Sequence, residues 1–207
     1  MSGKYKAIIY DCDGVMFDSM AATLAFYDKV MAFMGRPDLD RKDNEQLRVL
    51  HSFGYREVLR YFFPDDLQWN DAVRFVGTID YRELFPFMKM ESGFRETLNI
   101  LKPGFELAVC TNRSISMESL LESFDLSHFF SFVMTAAKVQ NPKPHPEPLI
   151  KVLEHYRISS EEALFVGDSL VDCQAAAAAC VPFVAYRNNL PSFAHIDHHQ
   201  EILELIG

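Results

Sequence analysis

From residue 93 onward, short apolar runs alternate with stretches of helical periodicity. They read GFRETLNILK, FELAVCTN, SMESLLESF, FFSFVMTA, PEPLIKVLEHY, ALFVGDS, LVDCQAAAAA and PFVAY. Runs rich in Val, Phe and Leu between Gly, Pro and Asn read as strands, and the segments between them as helices. Strands alternating with helices of about ten residues have few ways to pair and to bury both sheet faces, and the commonest is a parallel sheet with crossover helices. The closing HHQEILELIG reads as a last helix.

The first strand, KAIIY, ends at Asp11, and the next convincing one begins near Glu106. A strand–helix–strand unit takes roughly 30 residues, so the excess predicts an insertion. Within it Met20, Leu24, Tyr27, Met31 and Met34 make one apolar helical stripe ending at Gly35. Further helices are predicted over 44–52, over 55–63 with a stop at Pro64, and over 70–85, with no convincing strand between 18 and 90. The expected fold class is therefore α/β: a Rossmann-like parallel sheet with helices on both faces, plus a small all-helical cap inserted after the first strand. The expected bounds are 1–16 and 89–207 for the core and 17–88 for the cap, placed like a lid over whatever follows the first strand.

The 207 residues, 49% of them hydrophobic, suffice for a sizeable core with an insertion. Twenty basic against 29 acidic residues give a net charge of −9, which argues against nucleic acid or an anionic membrane surface as the main partner. A small anionic substrate stays possible where a local cation reverses the field. No signal peptide is expected in MSGKYKAIIYD, and no run of 18 apolar residues occurs. Cys12, Cys110, Cys173 and Cys180 lack CxxC spacing and read as thiols of a reducing compartment. A cytoplasmic monomer or weak dimer is the expectation.

Four polar clusters stand at, or in the loop leading on from, a predicted strand end: DCDGV (11–15), CTNR with Thr111 and Asn112, NPKPHP with Lys143, and GDSLVD with Asp168, Ser169 and Asp172. Ligands of open parallel sheets bind outside the carboxyl ends of strands, so the four can converge on one crevice. Singly, a Thr-Asn turn, a lysine between prolines and a GDS helix cap are ordinary; together they share one chemical logic. Asp11 can attack phosphorus as a carboxylate nucleophile. Asp13 can protonate the leaving oxygen and later take a proton from water. Gly14 lets backbone amides approach a phosphate, Thr111 can donate to a phosphoryl oxygen with Asn112 beside it as a candidate substrate contact, and Lys143 supplies positive charge. Asp11, the Asp13 carbonyl and Asp168 offer oxygen ligands for Mg²⁺, with Asp172 as a further or supporting ligand.

With these motifs in this order, the sequence resembles the haloacid dehalogenase-like superfamily, among members with a helical cap after the first motif. YREVLRYFFP and NPKPHPEPL are similar to its phosphoglycolate phosphatase-like branch. The resemblance implies a Mg²⁺-dependent phosphatase of a small phosphorylated metabolite, with Asp11 as nucleophile, Asp13 as acid and base, Thr111 as phosphate ligand, Lys143 as charge stabiliser and Asp168 as metal ligand. It also places substrate-selecting residues in the cap, where Arg56 is a candidate.

Alternatives stand beside this reading. The same motifs allow a sugar-phosphate mutase such as β-phosphoglucomutase. A dehalogenase fits less well, because Asp13 occupies the acid position. A phospho-acceptor receiver module has its acidic pair adjacent and lacks such a cap. Arg113 faces either the crevice or solvent; His145 reads as structural, Cys12 as important for its amide, and HIDHH (195–199) as an exposed polar face at the start of the last helix.

Overall fold

The computed structural model describes residues 4–52, 54–114 and 116–207. The chain forms two compact units, one of the residues up to Asp18 with Lys89–Gly207 and one of Ser19–Met88. Among the described residues no helix is long and apolar enough to cross a membrane.

The Ser19–Met88 unit holds α1 (Met20–Phe33), α2 (Asn44–Ser52), α3 (Tyr55–Phe62) and α4 (Asp66–Val76), then a 3₁₀ helix over Tyr81–Phe87. The α1 stripe buries Leu24, Tyr27 and Met31, joined by Phe26 and Val30. The predicted 70–85 helix is corrected to two elements. Asp65 caps α4 by accepting from the amides of Leu67 and Gln68 (3.0 and 3.1 Å), which starts the helix earlier. Gly77 closes it, and Asp80 caps the 3₁₀ turn by accepting from the Arg82 amide.

The other unit is built on β1 (Ala7–Tyr10), β2 (Phe17–Asp18), β3 (Lys89–Met90), β4 (Glu106–Thr111), β5 (Phe132–Thr135), β6 (Ala163–Gly167), β7 (Phe183–Tyr186) and β8 (Ala194–Ile196). Its helices are α5 (Phe94–Leu101), α6 (Met117–Ser123), α7 (Glu147–Tyr156), α8 (Leu170–Ala179) and α9 (Ile202–Ile206). Six strands form one sheet in the order β5-β4-β1-β6-β7-β8, and every pairing in it is parallel. β1 lies between β4 and β6, with Tyr10 opposite both Val109 and Val166.

A strand covered on both faces reads as an unbroken apolar run, and all of β1 is buried. Ala7 and Ile9 join Cys110 and Phe165 under Leu149 and Val152 of α7 and Ala175 and Ala176 of α8. The alanine run thus lets α8 lie close on the sheet. The opposite face turns Tyr10 edge-on to Phe94 of α5, ring centres 5.3 Å apart. Because β4, β1 and β6 are neighbours running one way, the residues just after them gather at one sheet edge.

Three expectations need correction here. Phe17 and Asp18 pair antiparallel with Met90 and Lys89, so the boundary falls after Asp18 rather than at 16. The HIDHH segment is partly strand: His195 and Ile196 lie in β8, which pairs with β7. His199 is not on an exposed face but buried, donating from Nε2 to the Val15 carbonyl (2.9 Å), and the last helix is a 3₁₀ turn over His199–Glu201 followed by the short α9.

Candidate active site

Asp11 extends β1 by one residue: its amide donates to the Val166 carbonyl (2.9 Å), which fixes the backbone beneath the carboxylate. The carboxylate meets Lys143, whose Nζ donates to Asp11 Oδ1 (2.7 Å), Asp172 Oδ1 (2.6 Å) and the Cys110 carbonyl (2.9 Å). An ammonium has three hydrogens, and all are used. Burying a lysine demands such a partner set, and Lys143 is 4% exposed.

Asn112 holds that lysine in place. Its Nδ2 donates to the Lys143 carbonyl (2.9 Å) and its Oδ1 accepts from the Lys143 amide (3.1 Å). The substrate contact expected of Asn112 is therefore not its visible duty, which is to tie the lysine loop to the end of β4. Thr111, buried at that strand end, accepts the Arg113 amide on Oγ1 (3.1 Å).

Asp168 and Asp172 follow β6. Ser169 caps α8: its hydroxyl accepts the Asp172 amide (3.2 Å) and donates to Asp172 Oδ2 (2.5 Å). Asp172 thus spends one oxygen on Lys143 and the other on Ser169. Gly14 has φ +77°, and a Cβ there would stand 1.9 Å from Asp168 Oδ2. Only glycine allows the first loop this close to that carboxylate.

The electrostatics follow from crowding. Burial, then the charge of Asp172, pushes the Asp11 carboxyl up to about 7, against the pull of Lys143. Burial, then Asp11 and Asp172, pushes Asp168 up to about 8. Burial disfavours the Lys143 ammonium, but Asp11 and Asp172 more than offset it, so the lysine holds its proton more tightly than a free one.

Oxygens of Asp11, Asp168 and Asp172 lie within 4.8 Å of one another. Hard oxygen donors with this surplus of negative charge suit Mg²⁺. Since both Asp172 oxygens are engaged, Asp11 and Asp168 are the carboxylates best placed to hold it.

The remaining sequence candidates divide. Arg113 lies in the crevice, not on the solvent side: Nε and Nη2 donate to Asp13 Oδ2 (2.8 Å) and Oδ1 (2.7 Å). Arg56 belongs to the Ser19–Met88 unit, where its guanidinium stands 5.8 Å from the Trp69 ring centre and its carbonyl accepts from Trp69 Nε1. His145 accepts the Glu147 amide on Nδ1 (3.2 Å), a local helix-start contact. Sequence reasoning did not find the Cys110 carbonyl, since a backbone acceptor carries no residue signature. The Ser169 bond to Asp172 was readable as a serine followed three residues on by an acid, the pattern of a capping box.

Comparison with known proteins gives the family. Residues 8–186 match the family described as haloacid dehalogenase-like hydrolase, and the chain belongs to that family. A phosphoglycolate phosphatase of Pseudomonas syringae is 31% identical over 189 residues, covering 87% of this chain and 68% of the relative. One of Escherichia coli is 44% identical over 155 residues, covering 73% of this chain and 53% of its own length, so the match spans about half of that enzyme. A crystal structure of a HAD-superfamily hydrolase, subfamily IA, variant 1, from Geobacter sulfurreducens is 59% identical, with a TM-score of 0.87 over 100% of this chain and 98% of that one. These likenesses set the chain in the phosphoglycolate phosphatase-like branch of the family.

Proposed function

We propose that the chain is a Mg²⁺-dependent phosphatase that hydrolyses a small phosphomonoester through an aspartyl-phosphate. The observation that carries this is the buried Lys143 ammonium held between Asp11 and Asp172, with Asp13, Gly14 and Asp168 at the same sheet edge. Lys143 keeps Asp11 oriented and partly neutralised, so a carboxylate oxygen can approach an anionic phosphoryl group. That oxygen forms a bond to phosphorus as the phosphorus–alkoxide bond breaks, and Asp13 gives the leaving oxygen its proton. Asp13 then takes a proton from water as the water oxygen attacks phosphorus, releasing phosphate and restoring Asp11. Thr111 donates its hydroxyl to a phosphoryl oxygen. Asp11, Asp168 and the Asp13 carbonyl would hold Mg²⁺, which would supply positive charge to the substrate. Asp172, bonded to Nζ, keeps Lys143 in place beside Asp11.

The likeness to phosphoglycolate phosphatases puts phosphoglycolate first in a substrate panel, and the cytoplasm is the expected setting. The decisive experiment is trapping: acid quench of the working enzyme, borohydride reduction and peptide mass analysis. Modification at Asp11, with turnover abolished by excess EDTA, supports the reading. Modification at Asp13, or full turnover in EDTA, overturns it.

A further inference from the structure

The guanidinium of Arg113 takes both carboxylate oxygens of Asp13 in a side-on fork of 2.7 and 2.8 Å. Asp13 comes from the loop after β1 and Arg113 from the loop after β4, and the arginine side chain is only 18% exposed against 39% for the aspartate, so this is not an ordinary surface ion pair. Surface pairs hold two mobile side chains for little gain. Here the arginine's main chain is already held at both ends. Its amide donates to Thr111 Oγ1 (3.1 Å), and its carbonyl accepts the Ala136 amide (3.0 Å) just beyond β5. The fork is thus mounted on the ends of β4 and β5 and aimed at the loop after β1.

We infer that Arg113 is a positioning residue that fixes the direction of the Asp13 carboxylate for proton transfer; this rests on reading Asp13 as the acid and base. A planar fork constrains both side-chain torsions of an aspartate, which a point charge cannot do. Asp13 has to present an oxygen first to a leaving group and then to a water, each within hydrogen-bond reach. Loss of the fork removes that constraint on the carboxylate's direction, and a misplacement of about 1 Å can cost roughly 10²-fold in rate.

The test is a double-mutant cycle with Arg113→Met and Asp13→Asn, measured on an alkyl phosphate that the wild type hydrolyses and on p-nitrophenyl phosphate. Arg113→Met is expected to lower kcat on the alkyl phosphate by up to roughly 10²-fold with KM little changed. Its effect on the step that expels p-nitrophenolate, which needs no proton, should be smaller. In the Asp13→Asn background the same substitution should add nothing. Arg113→Lys, which keeps the charge and loses the fork, should behave like Arg113→Met, and it carries the cycle if the methionine variant fails to fold. Additive effects, a loss confined to KM, or full rescue by lysine would overturn the inference and leave the phosphatase reading standing. A wild-type chain inert toward every phosphomonoester with Mg²⁺ overturns both.

Discussion

Asp11 and Asp13 are two residues apart yet live in different company, one against a lysine and one in an arginine fork. Their substitutions should therefore fail differently. Asp11→Asn is expected to abolish turnover while urea-melt stability holds or rises, since it relieves crowding among Asp11, Asp168 and Asp172. Asp13→Asn should lower turnover of alkyl phosphates by roughly 10²–10⁴-fold, less than loss of the nucleophile. Lys143→Met should do more than stop catalysis. It leaves Asp11 and Asp172 buried without their shared cation, a situation that typically costs about 3–5 kcal/mol, readable in the urea midpoint. The candidate groups were legible because each is a side chain in a short motif at a strand end. What the side chains hold was not. The Asn112 bonds to the Lys143 main chain and the fork of Arg113 on Asp13 link positions far apart in sequence, and only strand order brings them together.

The inner strands β1, β4, β6 and β7 were legible because burial on both faces writes itself as an unbroken apolar run, and the edge strand β5 because it lies in the long apolar stretch FFSFVMTA. β8 was not, since Ala194–Ile196 is short and lies at the sheet edge, with His195 exposed. The start of α4 was missed because its signal is a single capping aspartate, not a periodic pattern. Helix α8 depends on a similar small device. Ser169→Ala removes the hydroxyl that caps the Asp172 amide and steadies its carboxylate. The expected loss is about 1 kcal/mol, or roughly 2–4 °C in Tm for a chain of this size, together with reduced turnover because Asp172 steadies Lys143. A Tm matching wild type would contradict the capping role.

The stability of the folded chain should also depend on pH through His199, which lies stacked on Tyr186 (ring centres 4.5 Å) and beside Phe94 and Tyr10. A carbonyl only accepts, so the bond to Val15 requires the proton on Nε2; Nδ1 has no partner among the described residues. Burial lowers its pKa from 6.5 to about 4, with Arg187 and His198 opposing its charge too. The folded state resists the second proton and the unfolded state accepts it. Stability from this residue is therefore full above pH 6.5 and falls as pH drops, by about 3 kcal/mol at pH 4. His199→Gln keeps a donor for Val15 and removes the titration, so the wild-type-minus-variant difference in urea stability should carry this slope; a flat difference would rule it out. The antiparallel pairing of Phe17 and Asp18 with Met90 and Lys89 reaches further still. It brings together the two points where the chain leaves the sheet unit and returns to it, so everything from Ser19 to Met88 is, in topological terms, the loop of a hairpin. A genome could lengthen, trade or delete such a loop without rethreading a single strand of the sheet. A chain with a tight Asn-Gly turn in its place should still fold the six parallel strands, as amide exchange protection of β1 would report, and would turn this protein into a blank on which other recognition modules could be spliced.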